Sequence, residues 1–185
     1  MSGFRLANED FDRIFITEEE VTTNFFGSVL YGWGVNSSGQ LGNNATTSRS
    51  SPVTTAANLD PRWKQIAVGN DGVAAVKTDG TLWTWGDNFY GQLGNSTNIT
   101  RSSPQTTVAG GTDWKQVSIG GNFMAAIKTD GTLWTWGGNN NGQLGNGSVE
   151  GRSSPQTTVA GGTGWLNVSA STDFHVLALK LRDFT

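Results

Sequence analysis

The sequence predicts an all-β protein built from three repeats of about 51 residues behind a short N-terminal arm, and three observations carry that expectation. First, one block recurs at residues 30–43, 82–95 and 133–146, each time ending Gly-Gln-Leu-Gly-Asn. Second, other landmarks keep the same step: Trp33, Trp85 and Trp136 are separated by 52 and 51 residues, and Pro52, Pro104, Pro155 and Trp63, Trp114, Trp165 follow suit. A constant period near 50 residues marks a stacked array or a propeller. Third, the composition suits short strands joined by tight turns, with 26 glycines and 8 tryptophans among frequent Ser, Thr and Asn.

Taken in order, residues 1–28 differ in kind from the rest. They carry six acidic residues against Arg5 and Arg13, a balance of −4, so that the total of −3 leaves +1 for the remainder. Apolar groups are interleaved, among them Phe11, Ile14, Phe15, Val21, Phe25 and Phe26, which a solvated tail would not normally carry. Thr17-Glu-Glu-Glu20 fits a capping box, so a short helix is expected to begin there. The segment reads as a partner-binding anchor arm or as an arm packed on its own blades.

Residues 29–185 form the repeat domain, divided as 29–80, 81–131 and 132–185. In each unit an apolar strand such as Val73-Ala-Ala-Val-Lys77 runs through Thr-Asp-Gly into Thr-Leu-Trp-Thr-Trp, and Asp-Gly between apolar runs is a hairpin signal, expected here as a type I′ turn. Trp83 and Trp85 alternate with Leu82, which puts apolar groups on both faces, as blades packed face to face require. The glycines of Gly-Gln-Leu-Gly let the backbone turn where side chains would collide. The Arg-Ser-Ser-Pro runs at 49–52, 101–104 and 152–155 read as loops entering an outer strand, with proline at the strand start.

The motif Trp-Gly-x-Asn-x-x-Gly-Gln-Leu-Gly resembles the regulator of chromosome condensation repeat. It is carried by Trp33, Gly34, Gly39, Gln40, Leu41 and Gly42; by Trp85, Gly86, Gly91, Gln92, Leu93 and Gly94; and by Trp136, Gly137, Gly142, Gln143, Leu144 and Gly145. The resemblance spans residues 29 to 180 and implies a β-propeller of about seven four-stranded blades, within the usual range. Here only three units occur.

Catalysis has little to work with. The only histidine, His175, sits where the other units have Gly72 and Phe123, and reads as a hydrogen-bonded blade residue. Cysteine is absent, so disulfides and thiol chemistry are excluded. No phosphate loop or His-rich metal cluster occurs. We therefore expect no enzyme, no cofactor and no metal. The family's chromatin-binding and nucleotide-exchange activities are not carried over, because fold does not transfer function and a charge of −3 lacks the basic footprint of a nucleic-acid binder. Light sensing, also known in the family, lacks its Gly-Trp-Arg-His-Thr motif here. No apolar run reaches the roughly 20 residues of a membrane helix, and Met1 to Asn8 has no secretory pattern, which points to synthesis in the cytoplasm.

The phase of the repeat is informative. The first unit opens on Leu30-Tyr-Gly-Trp33, a strand that wants an Ala-Ala-Val-Lys partner before it, and the third closes on His175 to Lys180, which wants a Leu-Trp-Thr-Trp partner after it. The ends are complementary, and open edges demand cover. A second copy is the expected partner, giving a homo-oligomer; a foreign protein is the competitor. Small proteins joining a short arm to a few such repeats resemble proteins of tailed bacteriophages, where they look like virion components. The leading reading is thus a non-enzymatic structural or interaction protein, a decoration, neck or tail component of a virion held by its arm. The competitors are a host-surface or carbohydrate-binding module using Phe89, Tyr90 and the Arg49, Arg101 and Arg152 loops, and a bacterial cytoplasmic regulator of a small GTPase.

Overall fold

A computed structural model describes residues 28–56 and 62–182, so the arm with Phe11, Ile14, Phe15, Val21, Phe25 and Phe26 lies outside the described residues. Every regular element among the described residues is a strand. The first pair is β1 (Tyr31–Gly34) and β2 (Arg49–Thr54). Next come β3 (Trp63–Val68), β4 (Gly72–Lys77), β5 (Leu82–Gly86) and β6 (Arg101–Thr106). The same four recur as β7 (Trp114–Ile119), β8 (Phe123–Lys128), β9 (Leu133–Gly137) and β10 (Arg152–Thr157), and the series ends on β11 (Trp165–Ala170) and β12 (Val176–Lys180).

All pairings of the named strands are antiparallel between chain neighbours, which makes β3 to β6 and β7 to β10 two whole four-stranded blades, flanked by the half-blades β1–β2 and β11–β12. A blade therefore straddles two sequence repeats. Its two inner strands close one repeat and its two outer strands open the next.

Packing follows the alternation read from Leu82, Trp83 and Trp85. Ala74, Val76, Leu82 and Leu93 on one face of the first whole blade meet Trp114, Val117, Met124 and Trp136 of the second. The opposite face, with Trp63, Val73, Ala75 and Trp85, turns back toward Leu30 of the first half-blade. Ala125, Ile127 and Leu133 of the second whole blade meet Val168, Trp165 and Val176 of the last half-blade. Small residues on the central strand let adjacent blades approach, and glutamines stitch them: Gln65 Nε2 donates to Val117 O at 3.0 Å, and Gln116 Nε2 to Val168 O at 3.2 Å.

Two local expectations need correction. The Asp-Gly hairpins are not type I′, because Gly80 and Gly131 have φ of 80° and 81° while Asp79 and Asp130 are not in the left-handed region. Gly80 N donates to Lys77 O and Lys77 N to Thr81 O, both at 3.0 Å, which is a three-residue loop of type I closed by a left-handed glycine. The aspartate's role is to cap: Asp79 Oδ1 accepts from both the amide and hydroxyl of Thr81. The second correction concerns Arg-Ser-Ser-Pro, which is part of the outer strand and not a loop before it. Proline is tolerated because the pairing is broken around it, as between Arg152 and Gln156.

Candidate functional site

The repeat motif builds one loop three times. Asn88 is fully buried and its Nδ2 donates to Asn95 Oδ1, Thr97 O and Ile99 O, while its Oδ1 accepts from Leu93 N at 2.9 Å. Asn36 and Asn139 repeat this on Leu41 and Leu144. The Gln92 carbonyl side chain accepts from Tyr90 N at 2.9 Å and its amide donates to Asp87 at 2.7 Å; Gln40 and Gln143 accept likewise from Ser38 N and Asn141 N. This asparagine stands in the repeat motif at a constant three residues past each tryptophan, but its role is not legible there because its four polar partners converge only in the fold.

This loop is also the joint between blades. Trp85 Nε1 donates to Gln40 O at 2.9 Å and Trp136 Nε1 to Gln92 O at 2.8 Å, so these two motif tryptophans grip the preceding unit's loop. The motif glycines make room. A Cβ on Gly42 or Gly94 would stand 2.7 Å from the indole nitrogen of Trp85 or Trp136, and one on Gly39 or Gly91 would collide with the backbone of Ser102 or Ser153. Gly34, Gly86 and Gly137 end the motif strands at φ between 102° and 105°.

A second recurring unit joins each inner hairpin. Lys77 Nζ lies 5.0 and 4.5 Å from the Trp63 and Trp83 rings, and Lys128 Nζ 4.7 and 5.0 Å from Trp114 and Trp134. Lys128 also pairs with Asp113 at 3.2 Å. A cation between two indole faces gains from both ring quadrupoles. Beside it, Thr132 hydrogen bonds and, secondarily, the Lys128 charge hold the Asp130 carboxyl below its ordinary value.

The third copy of each device is incomplete, and that is where the surface becomes distinctive. Trp33 is 63% exposed, against 1% for Trp85 and 0% for Trp136. Around Gly142 no described atom lies within 4 Å of a Cβ position, and around Gly145 only Thr158 does. Ile66 and Val68 are exposed where their counterparts Val117 and Ile119 are buried, and Leu177 and Leu179 are exposed where Ala125 and Ile127 are buried. A cavity of about 420 Å³ opens between β1 and the first whole blade, lined by Leu30, Ile66, Val68, Val73 and Trp85. His175 is exposed at the same edge as Leu177, where Phe123 is buried in the preceding unit, and its carbonyl accepts from Ser171 N. Among the described residues no group of His, Cys, Asp or Glu is arranged to hold a metal ion.

Fold and surface together define a blade-repeat protein of the interaction type. The chain belongs to the family described as Regulator of chromosome condensation (RCC1) repeat, which it matches at residues 29–76, 79–127 and 130–179. It is 32% identical over 148 residues to the Ultraviolet-B receptor UVR8 of Arabidopsis thaliana, across 80% of this chain and 34% of that one. It is also 33% identical over 130 residues to the probable E3 ubiquitin-protein ligase HERC4 of Mus musculus, across 69% of this chain and 12% of that one. The chain thus spans about a third or less of these relatives. Among solved structures it is similar to Prp20p of Saccharomyces cerevisiae, described with its binding to Gsp1p and histones, at TM-score 0.70 and 20% identity over 84% of this chain and 40% of that one. Yeast RCC1 (Prp20) bound to Kap60 gives TM-score 0.67 at 19% identity, covering 97% of this chain and 44% of that one.

Proposed function

We propose that this protein is a non-enzymatic assembly module whose blade edges bind protein, first of all further copies of itself. The observation that carries this reading is that, among the described residues, the half-blades β1–β2 and β11–β12 gain no further strand, and Trp33 at one end and Leu177 and Leu179 at the other are exposed at positions that are buried in the whole blades. Unpaired strand edges with apolar faces are templates for addition of another strand. Light scattering on the full chain and on a chain lacking residues 1–28 tests it. Two or more chains in both forms support association through the blades, and one chain in both forms overturns it.

The setting we infer is a virion, with the N-terminal arm as anchor and the blades projecting as a decoration, neck or tail component. Its support is the resemblance of arm-plus-few-repeat proteins to phage proteins and the near-identical second and third units, in which residues 101–112 recur unchanged at 152–163. Co-sedimentation with particles, lost on deletion of residues 1–28, is the expected result; particles that retain the shortened chain would sink the anchor. A sugar-binding reading draws on one observation, the exposed Phe89 and Tyr90 rings, edge-to-face at 5.0 Å beside the Gly91 loop. A glycan array that stays blank removes it. Neither reading needs a cofactor, nucleic acid or membrane.

A further inference from the structure

We propose that a second copy of this chain docks so that its β12 becomes the neighbour that β1 lacks among the described residues, and that two chains thereby close one ring of six blades. Each chain brings two whole blades and two complementary halves. The proposal rests on the self-association reading above and adds its register and contacts.

The register follows from the whole blades. Their central pairings are Val73↔Trp85, Ala74↔Thr84, Ala75↔Trp83 and Val76↔Leu82, repeated as Met124↔Trp136, Ala125↔Thr135, Ala126↔Trp134 and Ile127↔Leu133. Transferred to the seam, Val176 stands opposite Trp33, Leu177 opposite Gly32, Ala178 opposite Tyr31 and Leu179 opposite Leu30. At the second of these pairs each whole blade sets alanine against threonine. The seam sets leucine against glycine, so the bulk gained on one strand faces a residue without a side chain on the other. Neither residue fits the repeat alone; together they do.

Three further vacancies accept the same copy in the same register. Lys180 lies 5.2 Å from the Trp165 ring, its only ring among the described residues, whereas Lys77 and Lys128 each have two. Tyr31 occupies the repeat position of Trp83 and Trp134 and would supply the second face. In the loops, Gln40 O and Gln92 O each receive a tryptophan, and Trp33 of the incoming chain is the counterpart that would reach Gln143 O. It would fill the space beside Gly145, as Ser50 would fill that at Gly142, where Ser102 and Ser153 fill the equivalent spaces at Gly39 and Gly91. Lastly, Leu177 and Leu179 would enter the 420 Å³ cavity and cover Ile66 and Val68, as Ala74 and Val76 cover Val117 and Ile119.

The chain has no cysteine, so single-cysteine variants report the register without background. Lys77 N donating to Thr81 O fixes the hydrogen-bonded pairs of the whole blade, which makes the 32/177 and 30/179 pairs the closely spaced, non-hydrogen-bonded kind suited to a disulfide. A Gly32→Cys chain mixed with a Leu177→Cys chain should oxidise to a two-chain product, as should Leu30→Cys with Leu179→Cys. The latter pair is included because a Cβ at Gly32 meets Leu41 Cδ2 at 3.2 Å. Gly32→Cys with Val176→Cys, whose side chains point to opposite faces, should not cross-link. Leu177→Asp/Leu179→Asp, exposed in the single chain, should halve the mass by light scattering while leaving the β spectrum unchanged. A parent of single-chain mass overturns the self-association reading and this proposal together. A two-chain mass with neither cross-link, unaffected by the Asp substitutions, leaves self-association standing and overturns the strand insertion.

Discussion

Gly94→Ala and Gly145→Ala alter the same motif glycine in successive units, and the structure assigns them different costs. Both residues are left-handed, with φ of 66° and 57°, so alanine meets about 1–2 kcal/mol of backbone strain at either site. At Gly94 the new Cβ also stands 2.7 Å from Trp136 Nε1. Trp136 is wholly buried, so relief requires shifting a packed indole, a cost of about 1–3 kcal/mol. The shift weakens its 2.8 Å hydrogen bond to Gln92 O, worth about 1 kcal/mol. At Gly145 the nearest atom is Thr158 Cγ2 at 3.8 Å, an ordinary contact. The expected loss is about 1–2 kcal/mol for Gly145→Ala and about 3–6 kcal/mol for Gly94→Ala. Urea unfolding followed by tryptophan fluorescence measures both, each variant carrying Leu177→Asp/Leu179→Asp so that only the single chain is compared. Equal losses at the two sites would refute the claim that the motif glycine exists to seat the next unit's tryptophan.

Other expectations follow from the same units. Asn88→Ala strands the buried Leu93 amide and frees two loop carbonyls, and should cost about 3 kcal/mol in denaturant unfolding. Lys128→Met removes a cation held between two indoles and its ion pair with Asp113; a loss of about 1–2 kcal/mol is expected in thermal unfolding. Asp130 is held below its ordinary value in the folded state, chiefly by Thr132, so the stability it adds is present above the unfolded carboxyl value and is lost as pH falls through the lower folded one. Asp130→Asn should therefore flatten the acid limb of the stability curve below about pH 4 and leave its slope near neutrality unchanged, as read by urea midpoints across pH.

The repeat, the strand alternation and the half-blade at either end of the described strands are legible because each rests on a short-range rule. Leu82 between Trp83 and Trp85 can only put apolar groups on both faces of a strand, and a strand apolar on both faces needs neighbours on both. Asp-Gly is compatible with two hairpin loops, and the three-residue loop is defined by contacts that sequence does not display: Gly80 N donates to Lys77 O, Lys77 N to Thr81 O, and Trp114 N of the next unit to the Gly80 carbonyl. The Arg-Ser-Ser-Pro runs were placed before the strand because proline breaks a ladder, yet an outer strand with a register break tolerates it. Asn36, Asn88 and Asn139 stand in the repeat motif but sequence alone gives them no role, because their burial depends on carbonyls up to 11 residues away converging on one amide. Trp85 and Trp136 are buried between blades, whereas Trp33 at the same repeat position is exposed because no described strand covers it beyond its own half-blade.

The most direct measurement is backbone amide exchange along β12. The β11–β12 ladder uses the odd positions, as in Ser171 N donating to His175 O, so the Val176 and Ala178 amides face the open edge. If a second chain's β1 pairs there, both amides should exchange slowly in the parent and rapidly in Leu177→Asp/Leu179→Asp. Fast exchange at Val176 and Ala178 in both proteins would contradict a strand-completed ring.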